Sequence, residues 1–455
     1  MILFGILAYV ALQVLFGVYA SRRVRSEEDY LLAGRRIGPT LATFTIFATW
    51  FGAETCIGAA AQAYEGGISA TAAEPFGYGL CLVLMGVAFA APLWRRKLTT
   101  LADLFRERFG VGAERLSVLL MVPTSILWAA AQIRAFGQIL SAASGLEVAI
   151  AVAIAAAVVI VYTSLGGFLA DALSDFVQGI ILAAGLVLLA VMWTVSGPST
   201  DLLALPAERL ALTARDSSLL DLLELLALPV LGSVFAQELV ARVVASRSPA
   251  VARNSTLAAA GVYFLVGLIP VSLGLAAASG GIELGDPEQL LVHLASSYMP
   301  PVLYLIFAGA LVSAILSTVD SALLVSGSLV AHNIVLKVWP AGSERRKLAI
   351  NRIAVVLSGV VAYTLTLSNA SVWDLVIQSS GFGSAGIFVA IVFGLNTRFG
   401  GAASALASLV GGLAVYVWAA YIQGIDHPFV ASLAGALLGY LLGALPTRLS
   451  RRPSD

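Results

Sequence analysis

The sequence is poor in charge, in cysteine and in histidine. Of its 455 residues only 11% are Asp, Glu, Lys or Arg, against about a quarter in soluble globular domains. With 59% hydrophobic residues and a mean hydropathy of +0.94, most of the surface has to face lipid rather than water. The formal net charge is zero and no segment forms a basic domain, which leaves nucleic-acid binding without support. Cys56 and Cys81 sit in separate apolar runs without metal-ligand spacing, so two buried free thiols are expected rather than a disulfide or a metal centre. His293, His332 and His427 are scattered singly and no nucleophile motif appears, which speaks against a membrane enzyme. Long polar stretches are also missing. The longest fall near 197–217 and 280–299, too short for an extramembrane domain.

What the chain has in abundance is apolar runs of spanning length, about 20 residues. They fall near 2–20, 38–64, 70–94, 116–142, 147–166, 172–196, 218–241, 255–279, 300–332, 350–368, 372–396, 401–421 and 428–446. This predicts an all-α membrane protein of about 13 helices. Continuous runs exclude a closed β-barrel, whose strands alternate. The first run is followed, not preceded, by basic residues (Arg22, Arg23, Arg25), the charge order of a retained helix rather than a cleaved signal peptide. Lys and Arg collect in alternate loops: at Arg35 and Arg36, from Arg95 to Arg115, from Arg242 to Arg253, from Lys337 to Arg352, at Arg398 and in the tail. With the three after the first run, that is 23 of the 26 on one side. By the positive-inside rule the N-terminus is outside and the C-terminus inside. The chain ends soon after its last run, which leaves no output domain for a membrane sensor.

Two runs are interrupted. The second carries Gly52 and Gly58 around Glu54 and Thr55, and the seventh carries Pro229 and Gly232 before Gln237 and Glu238. Breaks five helices apart suggest two inverted repeats, whose discontinuous helices build solute and ion sites at mid-membrane. Ionisable groups inside spans are functional by default. Here they are Glu54, Glu74, Arg134, Asp175, Glu238 and Asp320, though an arginine and a glutamate can also pair purely to hold a bundle together. In AILSTVDS of the ninth run, Ala314, Ser317 and Thr318 share one helical face. They can offer a carbonyl and two hydroxyls to a hard cation, or serve as interhelical glue.

DYLLAGRRIG, ATWFGAETCIG, YTSLGGFLADALSDFVQG at 162–179 and ALVSAILSTVDSALLVSGSL at 310–329 together resemble the sodium:solute symporter family. The resemblance runs over nearly the whole chain. It implies a LeuT-like core of five plus five helices, with an extra N-terminal helix at 1–20, repeats at 38–196 and 218–396, and two further helices at 401–446. It implies a multi-pass protein of the plasma (inner) membrane that carries a small organic solute by alternating access, with Na+ as coupling ion and no other cofactor. Carried over by position, the sodium ligands are the carbonyls of Ala48, Phe51 and Ala314 and the hydroxyls of Ser317 and Thr318. Asp175, Asp320 and Ser321 correspond to a second sodium site or a release step. Within the family, ATWFG, EPFGYGLCLVLMG, ILWAAAQIRAFG and STVDSALL resemble the high-affinity choline transporter branch. That likeness implies an aromatic solute site at Trp50, Tyr78 and Trp128, extended by Glu54, Gln132, Arg134, Phe235, Gln237 and Glu238. The chain departs from that branch in having Phe235 and Ala236 where a tryptophan is expected, and in its polar Gln132 and Arg134. A quaternary amine or a zwitterion fits these residues. A proton-coupled or uncoupled carrier of the same fold is the alternative.

Overall fold

The computed structural model describes residues 11, 15, 24, 26–198, 205–213, 217–367 and 371–449. The run at 2–20 lies outside them apart from two isolated positions, as do Arg22, Arg23, Arg25, Arg215, Arg451 and Arg452. The other twelve runs are helical. Nine helices are long and apolar enough to cross a membrane, and three bent pairs bring the number to 12 among the described residues. Helices are the expected solution, because a lipid environment offers backbone amides no partner and each segment must satisfy its own. The outward faces are apolar: Leu265 is 73% exposed and Leu442 63%. The long helix Pro301–Ser328 forms the centre, buried along nearly its whole second half.

Both anticipated breaks are present. Pro39–Trp50 and Glu54–Gly66 meet at 60°, and Leu219–Gly232 and Gln237–Ala245 at 47°. At the first, Phe51 leaves helical geometry (φ −96°, ψ 72°), and a Cβ on Gly52 would lie 2.5 Å from the Glu54 carboxylate. At the second, Pro229 sits in a widened turn over Leu228–Gly232, and a Cβ on Gly232 would lie 2.4 Å from the Ser380 carbonyl. At Gly232 the backbone of another element leaves no room for a side chain, whereas at Gly52 the crowding comes from the Glu54 and Gln132 side-chain ends. A third break, Val372–Gly381 with Ser384–Asn396 at 40°, falls inside what the sequence presents as one continuous run.

The two broken helices are tied together at one end. Ile37 N donates to Ala245 O (3.3 Å) and Arg247 N to Ile37 O (2.9 Å). Arg35 Nη2 reaches Leu98 O (2.7 Å) and Lys97 O (2.9 Å), and Trp94 Nε1 reaches Ser246 O (2.6 Å). This end is the basic one. At the other, Arg209 donates to the last carbonyls of the first broken helix, Tyr64 O (3.0 Å) and Glu65 O (3.3 Å). A cation there suits the negative helix C-terminus.

One residue assigned to the basic loops does not belong there. Arg242 is 1% exposed, inside a helix that continues to Ala245. The sequence pattern ended that span at 241 because a charge followed. Without Arg242 the loop bias is 22 of the 26, and its direction is unchanged. Cys56 and Cys81 are both free and buried.

Candidate functional site

The first break exposes the C-terminal carbonyls of Pro39–Trp50, the negative end of a half-helix, to the helix Pro301–Ser328. Ser317 Oγ lies 2.8 Å from both Ala48 O and Ala314 O. Thr318 Oγ1 lies 3.0 Å from Thr49 O and 3.2 Å from Ala314 O. All of these residues are at most 1% exposed. Four of the five expected ligands thus converge into one cluster of neutral oxygens, the donor set a hard cation prefers. The fifth does not meet the hydroxyls. Phe51 N is bonded to Phe47 O (2.9 Å), and the carbonyl that receives Thr318 is Thr49's.

At the first break lies a pocket whose lining includes Trp50, Glu54, Tyr78, Trp128, Phe235 and Glu238. Trp50 stands edge-on to Trp128 (centroids 5.4 Å apart) and to Tyr78 (6.5 Å). Trp50 Nε1 donates to Tyr78 O (3.3 Å), and Tyr78 OH meets Ser380 Oγ (2.7 Å). Glu54 is 2% exposed. It accepts Trp128 Nε1 on one oxygen (3.1 Å) and Gln132 Nε2 on the other (2.7 Å). Glu238 occupies the first turn of the inner half-helix, where the helix N-terminus favours a negative charge. Ser125 bonds its carboxylate, while Oε1 is buried without a partner. The lining contains two carboxylates and no Lys or Arg.

Two expected pocket residues stand elsewhere. Gln132 is behind the wall: its Oε1 takes Ala53 N (2.9 Å) while its Nε2 holds Glu54, so it positions the carboxylate from the broken segment. Arg134 does not line the pocket; it is only half-buried and acts electrostatically on Glu288, in the short turn Pro287–Gln289. Glu74 is buried behind the first break and accepts a hydrogen bond from Tyr263 OH, which in turn meets Thr55 Oγ1 (2.8 Å).

A second polar cluster lies about one turn further in. Carboxylate oxygens of Asp171, Asp175 and Asp320 lie within 4.8 Å of one another. Arg242 Nη2 bonds Asp171 Oδ2 (2.7 Å) and Asp175 Oδ2 (2.9 Å) and also meets Ser321 Oγ. Its Nε reaches Thr45 O and Oγ1 (both 3.1 Å), and its guanidinium lies 5.3 Å from the centroid of the Phe168 ring. Asp175 Oδ2 also takes the Thr45 (2.5 Å) and Thr49 (3.2 Å) hydroxyls. The two clusters share residues. Thr49 gives its carbonyl to Thr318 and its hydroxyl to Asp175, and Ser317 O accepts Ser321 Oγ (2.7 Å). Sequence reasoning missed Asp171, Thr45, Thr49 and the role of Arg242. The signal for Asp171 was its i, i+4 spacing to Asp175, which puts both on one helix face.

Residues 30–412 match the profile of the Sodium:solute symporter family. The high-affinity choline transporter 1 of Caenorhabditis elegans is 28% identical over 408 residues, covering 82% of this chain and 70% of that protein. The osmoregulated proline transporter OpuE of Bacillus subtilis is 25% identical, covering 98% and 94%. The solved substrate-bound, outward-open structure of a Na+-coupled sialic acid symporter superposes with a TM-score of 0.86 over 98% of each chain, at 18% identity. The fold is LeuT-like, and the chain belongs to the sodium:solute symporter family, as a multi-pass membrane protein that moves a small solute together with sodium.

Proposed function

We propose that this symporter carries a quaternary ammonium or similar organic cation, bound in the pocket between Trp50, Tyr78 and Trp128 and neutralised by Glu54 and Glu238. The single observation that carries this reading is the lining: an aromatic corner, two buried carboxylates and no basic residue. Aromatic faces and a desolvated carboxylate both favour a cation. A zwitterion needs a positive partner for its own carboxylate, and Arg134, the sequence's candidate, does not line the pocket. Similarity to choline transporters points the same way.

In the same reading sodium sits among the Ala48 and Ala314 carbonyls and the Ser317 and Thr318 hydroxyls, with the Phe51 or Thr49 carbonyl completing the set. Asp175, Asp320 and Ser321 belong to the inward release path rather than to a second ion site. Residues 38–196 and 218–396 act as the two repeats, each contributing one broken helix to the shared site. The basic end faces the cytoplasm. A cysteine at Arg345 is then labelled by an impermeant reagent in inside-out vesicles only, and one at Glu283 in right-side-out vesicles only. The reverse pattern would invert the orientation.

The ion assignment is tested at its hydroxyls. Ser317→Ala or Thr318→Ala deletes one ligand, and the sodium concentration for half-maximal solute binding should rise about tenfold, equivalent to about 1.4 kcal/mol. Solute affinity at saturating sodium should largely recover. Unchanged sodium dependence in both variants rejects the site.

A further inference from the structure

Two cavities meet at one side chain. Gln237, the first residue of the inner half of the second broken helix, lines the solute pocket. It also lines a smaller cavity, whose walls include Leu31, Thr100, Phe168, Ala241 and Leu324. Gln237 Oε1 accepts a hydrogen bond from Leu101 N at 2.7 Å. Leu101 opens the short helix Leu101–Phe109, which follows Arg95, Arg96 and Lys97 on the basic side of the protein. The first amides of a helix have no partner within it. Thr100 and Asp103 form a capping box at this terminus, and Gln237, a residue distant in sequence, supplies the acceptor for Leu101.

The smaller cavity is held by the groups already described. Phe168 packs against the Arg242 guanidinium, and Thr100 Oγ1 donates to Asn333 Oδ1 (2.8 Å). Gln237 is 4% exposed, and its oxygen accepts from Leu101 at the cavity boundary. Gln237 therefore stands between the solute pocket and the smaller cavity.

We infer that Gln237 is the inner gate of the solute path. The bond from Leu101 N–H holds the amide across the pocket floor, and inward release begins when that bond breaks. The inference rests on the pocket being the solute site. Gln237 acts here as a positioning residue, coupling the pocket to the helix Leu101–Phe109.

The test places a reporter cysteine at Ala241, in the wall of the inner cavity. Inside-out vesicles in sodium are treated with a water-soluble thiol reagent, and the modified peptide is quantified by mass spectrometry. Gln237→Leu removes the acceptor and should speed labelling about fivefold, the factor that losing one neutral hydrogen bond is worth. Leu101→Pro removes the donor from the other side and should do the same. Proline is accommodated at the first helical position, and Thr100 is already extended (φ −130°, ψ 163°), as a residue before proline prefers. The double variant should be no faster than either single one. Gln237→Glu keeps an acceptor and should label at the parental rate. An increase in neither or only one of the single variants, additive increases, or a Gln237→Glu rate matching Gln237→Leu would each overturn the gate. Labelling needs no solute, so an error in the solute assignment would appear separately, as absent choline binding with the labelling pattern intact.

Discussion

Arg242→Met should be the most damaging single substitution in the protein. The guanidinium is 1% exposed and bonded to Asp171, Asp175, Ser321 and Thr45. Methionine fills much of the space but leaves three neighbouring acidic groups without the cation that Arg242 supplies to them among the described residues. Removing one partner of a buried ion pair costs about 3–5 kcal/mol, a large fraction of the stability of an ordinary domain. The expected result is a large fall in the yield of monodisperse protein and in thermal stability. Asp175→Asn in the same chain should restore part of the loss, because it removes one of the charges left unbalanced. Alone, Asp175→Asn should leave the number of sodium ions per solute unchanged, as a release-path residue requires. An Arg242→Met protein as stable as the parent would show that the cluster is neutralised in some other way.

Glu54→Gln should raise the dissociation constant for a quaternary ammonium solute at least about thirtyfold. Truncating one partner of a buried, hydrogen-bonded charge pair costs about 2–5 kcal/mol, and the lower figure corresponds to that factor. Glutamine keeps an acceptor for Trp128 Nε1, so the wall geometry is largely retained while the charge is lost. The neutral carbon isostere of choline, 3,3-dimethylbutanol, provides the contrast: its weak binding should change far less. Equal losses for the charged and neutral compounds would assign Glu54 to folding of the break rather than to solute recognition. Trp128→Ala should weaken the cation as well, since a desolvated cation–π contact is worth about 2 kcal/mol and the indole also holds Glu54.

The spans were legible because a chain this poor in charge marks its own loops. The first two breaks were legible because glycine or proline stood beside polar residues in the middle of an apolar run. The third, at Gly381–Gly383, carried glycines too, but the run continues apolar on both sides and hides the bend. Arg242 shows the cost of ending a span at the first charge: the helix continues, and the charge is balanced from a helix some 70 residues away in sequence. Gln132 and Arg134 illustrate a different limit. Residues two apart on a helix point to nearly opposite sides, so one supports Glu54 while the other acts on Glu288. Ala314, Ser317 and Thr318 could be named together because they share one helix face, whereas Ala48 was named only through the family resemblance. The Gln237–Leu101 bond could not, because a side-chain oxygen capping a backbone amide 136 positions away leaves no trace in local pattern.

In the proposed function, sodium entering at the Ser317–Thr318 cluster drives a cationic solute through the aromatic pocket. Its most direct test is uptake of radiolabelled choline into proteoliposomes under an imposed sodium gradient, with potassium substituting for sodium in the control and a proton gradient imposed separately. The expected result is accumulation above equilibrium with the sodium gradient alone, none in potassium, and a much higher sodium requirement when Ser317 is alanine. Accumulation that ignores sodium and follows the proton gradient would contradict it.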